Sequence, residues 1–329
     1  MDRLQSTRID KTRGLTVLAQ AFLDLLACER PILIDGGLAT QCEAMGYNID
    51  GDLWSAVLLK ENPRAIVDAS RAYLDAGAEI IATASYQASR QGLMATGLSA
   101  AQADELIVSS VSLARQARDE FLRDNPDAHR APLVAASIGP YGAVLHDGSE
   151  YTGAYDITKE DLFEFHRNRL ELLDGAGADL LACETIPSMM EARVLCEVLR
   201  STICPAWISF SCRDERHLCD GTPLAEAAAL FVGHPTVLAI GVNCVQPQLL
   251  PPLIQVIKDW VPDKAIVAYP NSGEVYDAVD NTWSGTVTEL QCERSAQEWI
   301  DAGARLVGGC CRIGPEQIAA MAGCDALKM

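Results

Sequence analysis

Short, almost unbroken apolar runs recur along the chain at residues 31–34, 79–84, 133–138, 179–183, 206–210, 237–242, 265–269 and 305–307. A strand with one wet face alternates, whereas a run without alternation is covered on both faces, as in a parallel sheet. Between the runs the period lengthens to that of a helix: Leu106, Ile107, Val111, Ala114 and Phe121 share one face, and Arg115, Arg118 and Asp119 lie off it. Helix starts are legible too. Ser99 with Gln102, and Ser188 with Glu191, have capping-box spacing, and Thr222 before Pro223 reads as an N-cap followed by proline at the first helical position. Ala-Gly-Ala occurs at 76–78, 176–178 and 302–304, each time closing a helical stretch with a glycine cap and opening a strand. Eight strand–helix units without a composition break predict a single (β/α)8 TIM-type barrel over residues 1–329, with 1–28 as an N-terminal helical extension. A doubly wound sheet is the competing arrangement.

Composition narrows the function classes. The 329 residues are 49% hydrophobic and carry a net charge of −19, which leaves no cationic footprint for a phosphate backbone and argues against nucleic acid as a partner. No apolar run reaches the roughly 18–20 residues needed to span a bilayer, and the first dozen residues are charged, so a cytoplasmic protein with no membrane partner is expected. Twelve cysteines in such a compartment point away from disulfides and toward metal binding or buried thiols. No phosphate-cradling glycine loop is present, and His129, His146, His166, His217 and His234 show no ligand spacing and read as surface or packing residues.

In a barrel of this kind, chemistry is done by residues at the carboxyl ends of strands. There the first run delivers Asp35 before Gly36 and Gly37, and the fourth delivers Glu184. The sixth ends on Asn243 and Cys244, and the eighth on Cys310 and Cys311. Two carboxylates beside the backbone N–H groups of Gly36, Gly37 and Leu38 suit an amino acid, the carboxylates taking its ammonium and the turn its carboxylate. The competing reading of Asp35-Gly36-Gly37 is an ordinary turn. Three thiolates with one open position describe a catalytic Zn2+ site, where a thiol entering the fourth position loses its proton. A vicinal disulfide at Cys310-Cys311, a structural zinc and three packed core thiols remain as alternatives.

Several longer blocks carry a specific resemblance. They include Ile34-Asp35-Gly36-Gly37, Asp52-Leu53-Trp54-Ser55, Thr83-Ala84-Ser85-Tyr86, Ser137-Ile138-Gly139-Pro140-Tyr141-Gly142 and Cys183-Glu184-Thr185. Gly241-Val242-Asn243-Cys244, Tyr269-Pro270-Asn271-Ser272-Gly273-Glu274 and Gly308-Gly309-Cys310-Cys311 complete the set. Over nearly its whole length the chain resembles the homocysteine S-methyltransferase family, in particular stand-alone members that use S-methylmethionine or S-adenosylmethionine. The resemblance implies a zinc-bearing barrel with Cys244, Cys310 and Cys311 as metal ligands, and Asp35 and Glu184 at the homocysteine amino group. It implies Gly36 and Gly37 at the carboxylate, Thr83 and Tyr86 nearby, and Asn243 supporting the metal. Trp54 and Tyr141 are candidates to face a sulfonium donor through cation–π contact. Betaine-using relatives carry tyrosine where Thr185 stands, and many members have histidine in the region of Ser70. A selenocysteine or other thiol methyltransferase on the same site, and a non-catalytic zinc or thiol sensor, are the alternative functions.

Overall fold

The computed structural model describes residues 20–28, 30–49, 57–145, 147–277, 282–284 and 289–328. Its strands are β1 (Ile32–Leu33), β2 (Ile80–Ala82), β3 (Leu133–Ile138), β4 (Leu180–Ile186), β5 (Ala206–Phe210), β6 (Val237–Asn243), β7 (Ala265–Tyr269) and β8 (Leu306–Val307). All pair in parallel in one sheet of order β1-β8-β7-β6-β5-β4-β3-β2, and a parallel bridge from Ile34 to Ile80 closes the seam between β1 and β2. Each strand is followed by a helix: α1 (Pro63–Asp75), α2 (Ala100–Asp124), α3 (Lys159–Asp174), α4 (Met189–Val198), α5 (Leu224–Ala229), α6 (Leu250–Trp260), α7 (Glu289–Ala302) and α8 (Pro315–Ala322). A short antiparallel hairpin, Val275–Asp277 with Thr282–Ser284, is inserted after β7. The (β/α)8 barrel expected from the unbroken apolar runs is the fold, and the doubly wound sheet is excluded by the β1–β8 pairing.

Alternation within each strand sorts two cores. Leu33, Ile81, Val134, Leu181, Ile208, Ile240 and Val307 face the helices. Ile32, Ile80, Leu133, Ala135, Leu180, Ala182, Trp207, Ala239, Val267 and Leu306 fill the barrel, with Phe22 and Leu25 packed into the same cluster. Those two side chains lie on the helical residues 20–26 of the expected N-terminal extension, of which residues 1–19 lie outside the described residues. Continuing the same parity upward brings Ser137, Glu184, Ser209, Asn243, Tyr269 and Cys310 to the interior of the carboxyl-terminal rim.

The punctuation signals held at most positions. Gly77, Gly177 and Gly303 adopt φ of +101°, +87° and +125°, the left-handed conformation that a glycine helix stop requires. Ser99 and Gln102 form the full capping box of α2. Two starts differ. The Ser188 hydroxyl accepts the Glu191 N–H, but the Glu191 carboxylate turns inward to His166 and Tyr155 instead of returning to the cap. At α5 the cap is Pro223 and not Thr222, because the Thr222 carbonyl is taken by Leu218 N–H and the preceding loop ends one residue later.

Candidate active site

The three sulfurs expected to meet do so. Cys244 and Cys311 Sγ lie 3.8 Å apart, Cys311 and Cys310 Sγ 4.0 Å apart, and all three fall within 4.8 Å of one another. Ligands on a tetrahedral ion at about 2.3 Å stand about 3.8 Å apart, so the triad already has the spacing of one face of a metal tetrahedron. It is far too wide for a vicinal disulfide, whose sulfurs are bonded at about 2.05 Å. Burial opposes three adjacent thiolates. Cys244 nonetheless sits well below the ordinary thiol range, because Cys310 and Cys311 donate to it and Tyr151 and Asn271 assist. The same contacts push Cys310 and Cys311 well up. A divalent cation would offset the cost of holding three buried thiolates together, so the cluster has the chemistry of a metal site.

Asn243 builds the frame around the sulfurs. Its side-chain oxygen accepts the Thr185 N–H and the Ser209 hydroxyl, each at 2.7 Å, and its nitrogen donates to Thr185 Oγ1 at 2.8 Å and toward Cys310 Sγ at 3.8 Å. Thr185 and Cys244 are both in the left-handed region, at φ 63° and 55°. Such backbone costs of order 1 kcal/mol or more for a residue with a Cβ and persists where neighbours pin it. Tyr151, on the loop after β3, brings its hydroxyl to 3.6 Å from Cys244 Sγ.

The carboxylates lie across the rim. Glu184 accepts from the Ser137 hydroxyl and, at 3.0 Å, from Tyr269 OH; burial pushes its carboxyl up to about 7 against the pull of those two donors. Asp35 accepts the Ala82 N–H at 2.6 Å and is pushed up to about 8, by burial first and by the charge of Glu184 in addition. Among the described residues neither acid has a Lys, Arg or His partner. The turn after Asp35 is tighter than expected: a Cβ on Gly36 would stand 2.2 Å from the Ile313 carbonyl, and Gly37 N–H already donates to that oxygen at 2.9 Å. An anion contact from Gly37 N–H, expected from the sequence, is therefore spent on the fold.

The remaining candidates divide. Thr83 Oγ1 is buried as a brace, bonded to Ser85 Oγ at 2.6 Å and accepting Ser137 N–H at 3.0 Å. The Tyr86 hydroxyl is close to Thr185, and the charges of Cys244 and Cys310 act on it. Tyr141 is not brought to the sulfurs: its ring packs edge-on against Tyr155 and Phe165, at 5.5 and 5.1 Å, beside a separate cavity of about 460 Å3. Trp54 lies outside the described residues. A larger cavity, about 910 Å3, opens over Cys244 between the loops after β3, β5, β6 and β7, with Tyr151, Arg213, Gln246, Asn271 and Glu274 in its wall.

Sequence reasoning passed over Ser137, Ser209 and Tyr269, although counting by twos from the interior residues of their strands finds all three. It also passed over Tyr151, for which a loop offers no periodic signal. His166, read as unremarkable, is fully buried with its Nε2 2.7 Å from Glu191. Beside it the buried Arg169 guanidinium donates to the carbonyls of Gly139, Ser85 and Tyr86 at 2.8, 3.0 and 2.7 Å. This pair of clusters props the β2 and β3 loops from behind.

The model of one protein family, the homocysteine S-methyltransferases, matches residues 32–324. The chain belongs to the homocysteine S-methyltransferase family. It is accordingly a methyltransferase. Over 294 residues it is 48% identical to the homocysteine S-methyltransferase of Escherichia coli, covering 88% of this chain and 94% of that one. The Bacillus subtilis homocysteine S-methyltransferase YbgG is 47% identical over 290 residues, 87% of this chain and 92% of its own length. Among solved structures, the metallated form of the E. coli homocysteine methyltransferase MmuM superimposes with a TM-score of 0.81 at 44% identity, covering 92% of this chain and 98% of that one. The oxidized form of the same enzyme gives 0.82 with the same identity and coverage.

Proposed function

We propose that the protein transfers a methyl group from a sulfonium donor, S-methylmethionine and also S-adenosylmethionine, to the thiol of L-homocysteine in a zinc-dependent reaction that forms methionine. The observation that carries this reading is the convergence of Cys244, Cys310 and Cys311 at metal-ligand spacing, on the rim that also holds two uncompensated carboxyls. Three sulfurs favour a soft, tetrahedral ion, and zinc is the redox-inert one of that kind. A bound zinc would supply a Lewis acid that keeps the acceptor thiol deprotonated at neutral pH.

Everything else falls to the protein's own residues. Asp35 and Glu184 take the homocysteine ammonium, and the amides of Gly36 and Leu38 are left to take its carboxylate, since Gly37 N–H is committed to Ile313. Tyr86 flanks the thiol end, and Asn243 holds Cys310 and the Thr185 backbone in place. The donor enters the cavity over Cys244. A lone pair of the homocysteine sulfur attacks the methyl carbon, and the electrons of the breaking bond go to the donor sulfur. An anion and a cation become two neutral thioethers, so a site that excludes water accelerates the step relative to water.

The test measures metal content and methionine formation in one preparation. The intact protein binds about one zinc per chain and makes methionine from homocysteine and at least one sulfonium donor. Cys310→Ala loses both; transfer at the parental rate without metal would overturn the reading.

A further inference from the structure

The wall of the cavity over Cys244 carries charge of both signs, most of it from residues 211–223, the loop that joins β5 to α5. That loop is tied to itself. Bridges pair Cys212 with Leu218 and His217 with Pro223, and Asp214 accepts the N–H groups of Arg216 and His217 at 2.8 and 2.9 Å. Most of the charges are already matched. His217 Nδ1 lies 2.9 Å from the Asp214 carboxylate. Arg213 Nε is 3.5 Å from the same carboxylate, and its guanidinium is folded back against Gly221. Glu274, on the opposite wall, accepts from the Ser272 hydroxyl at 2.8 Å and from Arg312 Nε at 3.2 Å. Two charges remain. Glu215 and Arg216 are consecutive and exposed, both line the cavity, and neither side chain has a hydrogen-bond or ion-pair partner among the described residues. An α-amino-acid group presents an ammonium and a carboxylate from one carbon, so an acid and a base that stand side by side and unmatched in a cavity wall are its complement. Homocysteine is assigned to Asp35 and Glu184, which do not line this cavity. S-methylmethionine and S-adenosylmethionine both carry an amino-acid group at the end remote from the transferred methyl.

We infer that Arg216 and Glu215 bind the α-amino-acid end of the methyl donor, Arg216 taking its carboxylate on the fork of the guanidinium and Glu215 its ammonium. The inference rests on the sulfonium reading of the donor and names the residues that recognise its far end. That end is chemically unchanged by the transfer. Its contacts therefore hold ground state and transition state alike, and they act on the donor KM and not on kcat.

The experiment compares the parent with Arg216→Met, Arg216→Lys and Glu215→Gln, each zinc-loaded and saturated with homocysteine. Steady-state constants are measured for S-methylmethionine. Inhibition constants against it are measured for its decarboxylated analogue, (3-aminopropyl)dimethylsulfonium, and its desamino analogue, 4-(dimethylsulfonio)butanoate. In Arg216→Met the S-methylmethionine KM rises about tenfold, while kcat, the homocysteine KM, the zinc content and the inhibition constant of the decarboxylated analogue stay within about twofold. Glu215→Gln gives the mirror result, raising the S-methylmethionine KM and leaving the desamino analogue unaffected. Arg216→Lys, which keeps the charge without the fork, falls between parent and Arg216→Met. An unchanged S-methylmethionine KM in Arg216→Met overturns the inference. Equal weakening of S-methylmethionine and the decarboxylated analogue would assign Arg216 to the structure of the loop, and a rise in the homocysteine KM alone would assign it to the acceptor; either also overturns it. A parent enzyme that transfers methyl from no sulfonium donor overturns the functional reading itself, a failure seen before any variant is compared.

Discussion

If Asp35 and Glu184 receive the homocysteine ammonium as proposed, binding should tighten as pH rises through the neutral range, because burial in the empty barrel favours their protonated forms. Glu184 is raised to about 7 and Asp35 to about 8, both chiefly by burial. An ammonium held by both needs both ionised. Apparent affinity is reduced by the competent fraction, so the Kd stands about 1,000-fold above its limit at pH 6, about 20-fold at pH 7 and about twofold at pH 8. Asp35→Asn removes one of the two ionisations and should flatten the change between pH 6 and 8 to about tenfold. Calorimetry in buffers of different ionisation enthalpy reads the same linkage as a proton count, about 1.4 released per ammonium bound at pH 7. L-2-aminobutyrate, which lacks the thiol, separates this release from that of the sulfur. A Kd that is flat from pH 6 to 8, or that tightens on acidification, would refute the assignment of these acids to the ammonium.

The same groups set a stability trend of opposite sense to that of salt-bridged carboxylates. A folded-state value above the unfolded one means that the fold binds extra protons between about pH 4 and 8, so the ligand-free protein loses stability as pH rises through that window. Asp35→Asn should therefore be more stable than the parent at pH 8.5, by up to about 5 kcal/mol, and similar to it at pH 4.

Two further substitutions probe the frame behind the site. Asn243→Ala withdraws the contacts to Thr185, Ser209 and Cys310 at once, and should weaken zinc binding about 10- to 100-fold in a chelator competition while leaving the three ligands in the chain. Arg169→Met takes the guanidinium donor from the Gly139 carbonyl and the second donor from the Ser85 and Tyr86 carbonyls, which keep the N–H groups of Ala88 and Gly139, and should cost about 1–3 kcal/mol in denaturant unfolding. An unfolding midpoint unchanged from the parent would remove Arg169 from the account.

How much of this was legible in the chain depends on whether a residue obeys a period. The strands announced themselves because burial on both faces leaves no alternation to blur, and glycine stops such as Gly77 and Gly303 were legible because few other residues tolerate their φ. Asking what ends each strand picks out Asp35, Glu184 and the cysteines, which lie on the carboxyl-terminal rim. The Glu191, His166 and Arg169 group was missed for the opposite reason: each looks like a surface residue of a helix, and only the tertiary packing of α3 against α4 shows that all three are enclosed. The contacts of Tyr141 are equally out of reach of a periodic reading. Its motif places it after β3, but the chain turns its ring outward to Tyr155 and Phe165.

The sulfur triad depends on breaking the rule that built the barrel. Alternation aims Asn243 and Cys310 into the interior, and the next residue along, Cys244 or Cys311, would then face the helices and miss its partners. The backbone departs from extended geometry at these points: Cys244 itself is left-handed, and so is Arg312, immediately after Cys311. Arg312 N–H is caught by Thr40 Oγ1 at 2.9 Å, and Cys244 N–H still reaches the Tyr269 carbonyl at 3.2 Å, so both turns are anchored while the thiols swing onto the rim. Thr185, the third left-handed residue, coincides with the register shift between β4 and β5 and is pinned by Asn243. Each departure costs stability that a repacked strand end would recover. Their coincidence around one set of sulfurs is the physical reason to assign this rim to chemistry and not to packing.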